Sequence, residues 1–356
     1  MNICVIKAKD TTGTGTTARD ITLKKAFEEK GHVINVIYPD SKAILEYERE
    51  KSSMLARIMR KLHIKKSESK WDFYSKELEK KIRKDKYDVL IGREVFSSYV
   101  LCKNFDAIKI FDVGNIAYIE QYYSGKYYME VEETYAKELE IFKNVDYILI
   151  HDQLLIDYLK KLGFPYLEKI VLAKLGSIPS NKKARYALAP KIVAVGLQNF
   201  FPHDYYFLSF LTKISKYTID CYGLRNSSAS FFPVALNYKG YRENMDFLAE
   251  YQFGIITVSR DWLREHSPSN KFGDYFSYGL PVLFPKWMRA GYQYKGAIPY
   301  DEDNLNDIIA EYSEEGVWRK IHEEALAQAD AMNYNKVWKP ALDLVENTIR
   351  LRRAST

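Results

Sequence analysis

Residues 267–285 read SPSNKFGDYFSYGLPVLFP and are the most informative stretch of this 356-residue sequence. The pattern predicts a loop that enters a short helix, a glycine that ends the helix at Gly279, and a buried apolar strand. Lys271 and Asp274 are three residues apart, so a helix places them at neighbouring positions on one face. The stretch therefore predicts a charged helix start just before a strand of a buried sheet.

Two interpretations of this charged pair are open. A lysine at a helix N-terminus favours phosphate binding. An acid one turn further can accept both hydroxyls of a ribose, as an acid does in dinucleotide folds. The alternative is a solvated ion pair between Lys271 and Asp274 on an ordinary helix.

Outward from this stretch, both halves of the chain alternate short apolar strands with helices. The first forty residues predict strand, glycine-containing loop, helix and strand, a right-handed βαβ unit that implies a parallel sheet. Residues 177–189 (SIPSNKKARYALA) are polar and irregular, as a linker is. Strands are predicted at 2–6, 32–38, 87–91, 107–112, 146–150 and 169–173 before this linker, and at 191–196, 217–223, 235–240, 253–258 and 281–284 after it.

This order predicts an α/β protein of two Rossmann-like, doubly wound domains, residues 1–179 and 190–333, followed by a helix over 334–356. Ligands of such folds bind at the carboxyl ends of the strands, so a ligand cleft is expected between the two domains.

Composition narrows the class of protein. Hydrophobic residues make up 47% and charged residues 28%, which are globular values. The formal charge of +6 can attract phosphate, anionic lipid or nucleic acid without choosing among them. The sequence has no apolar run of the ~20 residues that a membrane span needs and no signal-peptide pattern at its start. Cys4, Cys102 and Cys221 are scattered and predict reduced thiols, so a cytoplasmic protein is expected.

Residues 267–285 resemble the donor-site signature of GT-B glycosyltransferases, Pro-x-Lys-x-x-Glu-Tyr followed by Gly-x-Pro-Val. The resemblance implies the GT-B fold, a final helix that returns to the first domain, and metal-independent transfer of a hexose from a nucleotide-diphosphate donor such as a UDP sugar to a hydroxyl group. It also implies that Lys271 neutralises the donor diphosphate and that Asp274 holds the ribose. The residues that match the signature are Lys271, Asp274, Tyr275, Gly279, Pro281 and Val282.

The chain departs from related patterns in two places. Family-4-type retaining enzymes have two glutamates eight positions apart, where this chain has His266 and Asp274, so retention or inversion of the sugar stays open. Such enzymes also have a cation after the first strand of the second domain, which VGLQNFFPHD lacks. The xanthan-type glucuronosyltransferases are similar in this divergence. The further expected donor-binding residues are Ser269, Asn270, Gly223, Arg225 and Arg260.

Two sites are predicted in the first half. The loop with Thr12, Gly13 and Gly15 has neither G-x-G-x-x-G nor P-loop spacing. By resemblance it faces acceptor and phosphate in the cleft, and the alternative is a tight turn. Asp112 ends a predicted buried strand, where a carboxylate can act as the catalytic general base; the alternative is a turn cap, because Gly114 follows closely.

Other polar segments have structural explanations. Asp152 is predicted to cap a helix, and His151 beside it to be structural. Residues 301–303 (DED) resemble a metal-binding Asp-x-Asp motif, but they precede a helix whose dipole favours acids there, so no bound metal is predicted. The segment from Met54 to Lys66 is either a membrane-surface helix, which would place the protein on the inner membrane face, or an ordinary surface helix. Its basic residues lack the interleaved aromatics of single-strand nucleic-acid binding.

The expected partners are a nucleotide sugar and a glycan, lipid-linked or protein acceptor, with no bound cofactor. Two alternatives remain. A nucleotide-sugar epimerase on the same scaffold would need further acids and a histidine, for which His151 and His203 are the candidates. A two-lobed nucleotide-sugar-binding protein would need only the donor site.

Overall fold

The computed structural model describes residues 1–8, 18–52, 69–114, 116–123, 128–197, 202–224 and 236–355. The chain divides into two compact units. Unit 1 comprises Met1–Gly15, Lys24–Ala173 and Trp338–Thr356, and unit 2 comprises Thr16–Leu23 and Lys174–Val337. The predictions for Thr12, Gly13, Gly15, Arg225 and the segment from Met54 to Lys66 fall outside the described residues, so they stay predictions.

Unit 1 contains a six-stranded parallel sheet in the order β2-β1-β3-β4-β5-β6. The central strands are buried along their length because each is a run of apolar, β-prone residues with helices in the connections. The strands are β1 (Asn2–Ile6), β2 (Val33–Ile37), β3 (Val89–Gly92), β4 (Ile108–Val113), β5 (Tyr147–Ile150) and β6 (Ile170–Leu172). The helices of this part of the chain are α1 (Ala18–Glu28), α2 (Ser41–Ser52), α3 (Lys70–Ile82), α4 (Val95–Ser98), α5 (Ala117–Tyr123), α6 (Tyr128–Asn144) and α7 (Gln153–Lys161). The residues of α1 up to Leu23 belong to unit 2.

Unit 2 repeats this architecture with the sheet order β12-β11-β10-β7-β8-β9, again all parallel. The prediction of two doubly wound α/β halves is confirmed. The strands are β7 (Ile192–Val195), β8 (Ile219–Tyr222), β9 (Asn237–Gly240), β10 (Phe253–Ile255), β11 (Val282–Pro285) and β12 (Ala297–Tyr300). The helices are α8 (Pro202–Ile214), α9 (Trp262–His266), α10 (Lys271–Phe276), α11 (Leu305–Tyr312), α12 (Glu315–Ala331) and α13 (Tyr334–Val337).

The structure adds elements that the sequence pattern did not indicate. Strand β12 is at the edge of its sheet, where Pro299 is tolerated because an edge strand has backbone N–H groups without a ladder partner. A 3-10 helix at Asp246–Glu250 precedes β10. The tail is divided: α13 ends at Val337 and α14 (Lys339–Ser355) begins just before Pro340, since proline fits only the first turn of a helix.

Helix α10 is fastened to the sheet of unit 2 by Tyr275, which has no exposed surface. Its hydroxyl accepts the N–H of Val195 at 3.1 Å and donates towards the carbonyl oxygens of Val193 and Ile255, at 3.1 and 3.2 Å. Its ring lies against Gly254, where a Cβ atom would come within 2.4 Å of the ring. Glycine at position 254 therefore lets the helix lie directly on β7 and β10.

The far end of α10 is closed by Gly279, as the sequence predicted. Gly279 has a φ of +73°, a conformation that favours glycine. Its carbonyl oxygen is 2.6 Å from Nδ1 of His322, whose ring stacks on Trp318 of the same helix, α12. The six-residue helix is thus held at both ends by unit 2.

None of the described helices is both long enough and apolar enough to cross a bilayer.

The contact between Gly254 and Tyr275 can be tested by substitution. Gly254→Ala should lower the free energy of unfolding by about 2 kcal/mol or more, because the added methyl group overlaps the tyrosine ring. Urea unfolding measures this change. Gly316→Ala is the control, since a Cβ at Gly316 of α12 meets nothing within 4 Å, and it should raise stability by about 0.5–1 kcal/mol. Equal effects of the two substitutions would contradict the proposed role of Gly254.

Candidate functional site

The candidate site lies where the order in which strands are added to the unit 2 sheet reverses. Strand β7 comes first in unit 2, the chain continues to β8 on one side of it, and β10 is added later on its other side. In open parallel sheets, ligands bind at the carboxyl ends of the strands at this topological switch point. Tyr275 bonds to both β7 and β10, so α10 begins at the switch point.

Lys271 extends across the carboxyl end of β7. Its side chain lies beside Gly196, the first residue after that strand, which has a φ of +83°. A Cβ atom on Gly196 would be 3.0 Å from Cε of Lys271 and 3.7 Å from its Nζ. The absence of a side chain at position 196 thus leaves room for the lysine ammonium at the edge of the sheet.

The ammonium group of Lys271 is partly buried. Burial lowers the pKa of its ammonium to about 8, while the negative charges of Asp204 and Asp274 act in the opposite direction and the positive charge of Arg264 adds to the lowering. Burial likewise raises the pKa of Asp274 to about 6, and the Lys271 charge opposes this rise. At neutral pH the two groups are still an ammonium and a carboxylate, but both are poorly hydrated and suited to bind a charged or polar ligand.

Two charged residues that the sequence analysis missed, Asp204 and Arg264, act electrostatically on Lys271. Asp204, in the first turn of α8, is fully buried and accepts hydrogen bonds from both terminal guanidinium nitrogens of Arg264. It also accepts hydrogen bonds from the N–H of Ser259 at 2.9 Å and from its hydroxyl at 2.7 Å. Burial alone would raise the pKa of Asp204, but the hydrogen bonds and charge of Arg264 outweigh it and lower the pKa. Because the acid and the arginine are 60 positions apart, no local sequence pattern indicated that they form a pair.

The predicted donor-binding residues around the start of α10 have different surroundings. The hydroxyl oxygen of Ser269 accepts the N–H of Lys271 at 3.3 Å. Asn270 is exposed, and its carbonyl oxygen accepts the N–H of Gly273 at 3.0 Å. Tyr275 belongs to the core, so any contribution it makes to ligand binding is through the position of α10.

The remaining predicted donor-binding residues are further along the carboxyl edge. Gly223 follows β8 and bonds through its N–H to the carbonyl oxygen of Gly240 at 3.0 Å. Arg260 is exposed and forms an ion pair with Glu265 at 3.3 Å. His266, eight positions before Asp274, is the last residue of α9. The structure thus brings Lys271 and Asp274 together with Asp204 and Arg264.

In unit 1, Asp112 is near the carboxyl end of β4 and is fully buried. Its carboxylate forms an ion pair with Arg93, which follows the neighbouring strand β3 and has a side chain only 8% exposed. The backbone N–H of Arg93 bonds to the carbonyl oxygen of Ile6 in β1, at 3.1 Å. The predicted base is therefore part of a buried ion pair, whose other member the sequence analysis did not identify.

Asp152 and Asp301, for which the sequence predicted structural roles, both form hydrogen bonds at the start of a helix. Asp152 caps α7 by accepting the N–H of Leu154 at 2.9 Å. Before α11, the N–H of Asp301 donates to the side-chain oxygen of Asn304 at 2.9 Å, and the N–H of Asn304 donates to the carboxylate of Asp301 at 3.1 Å. Within the described residues, no group of three or more histidine, cysteine or acidic side chains is placed to hold a metal ion.

No protein-family model matches the sequence, and no curated protein matches it. Solved structures do match. Sucrose-phosphate synthase from Thermosynechococcus elongatus has a TM-score of 0.69 at 11% identity, with 99% of each chain covered. HepE from Anabaena, in complex with UDP-glucose, has a TM-score of 0.65 at 11% identity, covering 98% of this chain and 99% of the other. The chain has the GT-B fold.

A third GT-B neighbour is a glycosyltransferase from Rickettsia africae, with a TM-score of 0.61 at 14% identity and 98% of each chain covered. At such low identity the likeness establishes the architecture. The chemistry has to be inferred from the residues at the carboxyl edge of unit 2.

The lowered pKa of Lys271 predicts that this residue costs stability. At pH 7 the folded protein holds a poorly hydrated ammonium, so Lys271→Met should raise the free energy of unfolding by about 1–2 kcal/mol. The gain should be full below pH 8 and should fade as the pH rises towards ~10.4, the pKa of an unfolded lysine, because neither state then carries the charge. Urea unfolding at several pH values measures this. Lys286→Met, at a lysine with a 65% exposed side chain, should change little, and an equal gain there would contradict the explanation.

Proposed function

We propose that the protein transfers a hexose from a nucleotide-diphosphate donor to a hydroxyl acceptor. The observation that carries this proposal is the Lys271 ammonium at the carboxyl end of β7, partly withdrawn from water, with Asp274 one turn along the same helix. The glycosyltransferase neighbours and the UDP-glucose held by HepE support the same class of donor.

Lys271 is suited to a diphosphate for an electrostatic reason. An ammonium that has lost part of its hydration gains more from an arriving anion than a fully hydrated one does, because less water must be displaced. In sugar transfer the bond to the anomeric carbon breaks and negative charge grows on the diphosphate that leaves. Lys271 is proposed to stabilise that charge, which would lower the barrier as well as bind the donor.

Asp274 is proposed to hold the ribose of the donor. Above about pH 6 its carboxylate is an acceptor for two hydroxyl groups. Within the described part of the chain, no hydrogen bond reaches this carboxylate, so its acceptor capacity is open to a ligand. Ser269, Asn270, Gly223 and Arg260 stay proposed donor contacts, as does Arg225 outside the described residues.

The acceptor is proposed to be bound by unit 1 and to be a glycan, a lipid-linked sugar or a protein. Asp112 stays the candidate general base if the transfer inverts the sugar. No cofactor is proposed, since the nucleotide sugar is itself a substrate. Contact with a membrane surface through the segment from Met54 to Lys66 stays a proposal as well.

Donor binding can be tested by thermal shift with UDP and UDP-glucose. Ligand at a hundredfold excess over its Kd should raise the Tm by about 5 °C, because it binds only the folded state. Lys271→Ala should weaken UDP binding about 10- to 100-fold, the effect of losing a charge-assisted interaction. The control Lys286→Ala removes an exposed lysine of the same unit and should bind UDP as the wild type does. Unchanged binding by Lys271→Ala would refute the donor site.

Activity separates transfer from the alternatives. A transferase slowly releases UDP from UDP-glucose in the absence of acceptor, whereas a binding protein releases none and an epimerase converts the sugar.

UDP affinity should be greatest between about pH 6 and about pH 8, where Asp274 is ionised and Lys271 is charged.

The base proposal is tested through the ion pair of Asp112 with Arg93. Asp112→Asn should lower the free energy of unfolding by about 3 kcal/mol, because it leaves the Arg93 charge buried without its carboxylate. If Asp112 is the base, turnover of the folded enzyme should fall at least ~100-fold as well. The double variant Arg93→Met/Asp112→Asn removes both charges and should regain most of the stability but not the turnover. Recovered turnover in the double variant would show that Asp112 is structural.

A further inference from the structure

Four segments of unit 2 meet around the carboxylate of Asp204 at the carboxyl ends of β7 and β10. Three of these are joined by hydrogen bonds: the first turn of α8, the loop after β10 and helix α9. The fourth, the start of α10, carries Lys271, whose side chain lies against Gly196 at the end of the neighbouring strand β7. Asp204 has no exposed surface and binds Ser259 through two hydrogen bonds and Arg264 through two guanidinium nitrogens. Every described contact of this carboxylate lies at the carboxyl edge of the sheet.

The guanidinium group of Arg264 is held by protein groups on all sides of its fork. Its Nη1 lies 3.2 Å from the carbonyl oxygen of Ser259 and 3.1 Å from its hydroxyl, and its Nε lies 3.2 Å from Oδ2 of Asp261. Asp261 in turn caps α9 by accepting the N–H of Arg264 at 2.8 Å. All three guanidinium nitrogens therefore have protein partners, so the arginine is a scaffold group and not a free cation for a ligand.

The two charges of this pair act on Lys271 in opposite directions. The Asp204 charge favours the ammonium and the Arg264 charge disfavours it, while Asp274 of α10 is the third charged group that faces Lys271. A buried ion pair adds little net stability compared with well-packed apolar side chains. Lys271 lies against Gly196 at the end of β7, and the pair is bonded to Ser259 after the neighbouring strand β10, so both are at the same edge of the sheet. This placement gives the pair a second effect, on the charge and position of the ammonium.

We propose that the Asp204–Arg264 ion pair is the positioning unit of the donor site: Asp204 attracts the Lys271 ammonium to the end of β7, and Arg264 fixes Asp204. The nature of the ligand rests on the proposed function, but the coupling among these three side chains does not. Asp204 and Arg264 are positioning residues, because they act on the diphosphate through Lys271.

The coupling can be measured without any nucleotide. Lysine labelled with carbon-13 at Cε reports the titration of each ammonium by NMR, and the Lys271→Arg variant assigns the signal. Asp204→Asn should lower the titration midpoint of Lys271 and Arg264→Met should raise it, each by on the order of one pH unit. A pair that only supports the fold would loosen the site in both variants and move the midpoint upward in both. An unchanged or raised midpoint in Asp204→Asn overturns the proposal.

Nucleotide binding gives the second readout. At pH 7, Asp204→Asn and Arg264→Met should each weaken UDP binding about tenfold or more, because Lys271 is then misplaced. Glu315→Gln and Arg319→Met remove an exposed ion pair of the same unit and should change neither UDP binding nor the Lys271 midpoint. Wild-type UDP affinity in both Asp204→Asn and Arg264→Met would overturn the proposal.

Two further outcomes keep the inference distinct from the function. If UDP does not bind the wild type while the midpoints shift as expected, the donor proposal fails and the coupling stands. If Asp204→Asn does not fold, the double variant Asp204→Asn/Arg264→Met replaces it, since it leaves no lone buried charge. That variant should keep a Lys271 midpoint near that of the wild type and bind UDP at least about tenfold more weakly; undiminished binding overturns the proposal.

Discussion

The arrangement of the candidate site depends on the close approach of the Tyr275 ring to Gly254. Because Gly254 has no side chain, the ring lies on the strand itself and its hydroxyl reaches backbone groups of both β7 and β10. Helix α10 has only six residues, too few to be stable alone, so its position comes from this contact and from its buried phenylalanines. The direction of Lys271 and Asp274 follows from it.

Charge is concentrated at the topological switch point of the unit 2 sheet, between β7 and β10. Lys271 and Asp274 each carry a pKa displaced by burial, to about 8 and about 6, and both displacements are unfavourable for the ligand-free protein. The buried pair of Asp204 and Arg264 stands beside them with its hydrogen bonds filled by Ser259 and Asp261. At neutral pH both groups are still charged before a ligand arrives. Charged groups already in place are the preorganisation that electrostatic catalysis requires.

Sequence patterns predicted most strands because parallel strands covered on both faces are apolar runs, as in β1 and β7. The pattern failed where this reason is absent. Strand β12 is a four-residue edge strand that contains proline, and α9 is a five-residue helix in a loop. In the site, the spacing of Lys271 and Asp274 was visible in a single helical turn. The partnership of Asp204 with Arg264, and that of Arg93 with Asp112, joins residues from different strand ends and has no local pattern.

The sequence by itself determined the succession of strands and helices, the two doubly wound halves and the charged start of one short helix, because periodicity and helix-ending glycines are local properties. Only the tertiary structure decided that Tyr275 is a core residue, that Arg264 and not Arg260 accompanies Lys271, and that Asp112 is paired with Arg93. Burial and charge pairing depend on which strand ends become neighbours in the sheet. That order is fixed by long-range packing, which the spacing of residues along the chain does not record.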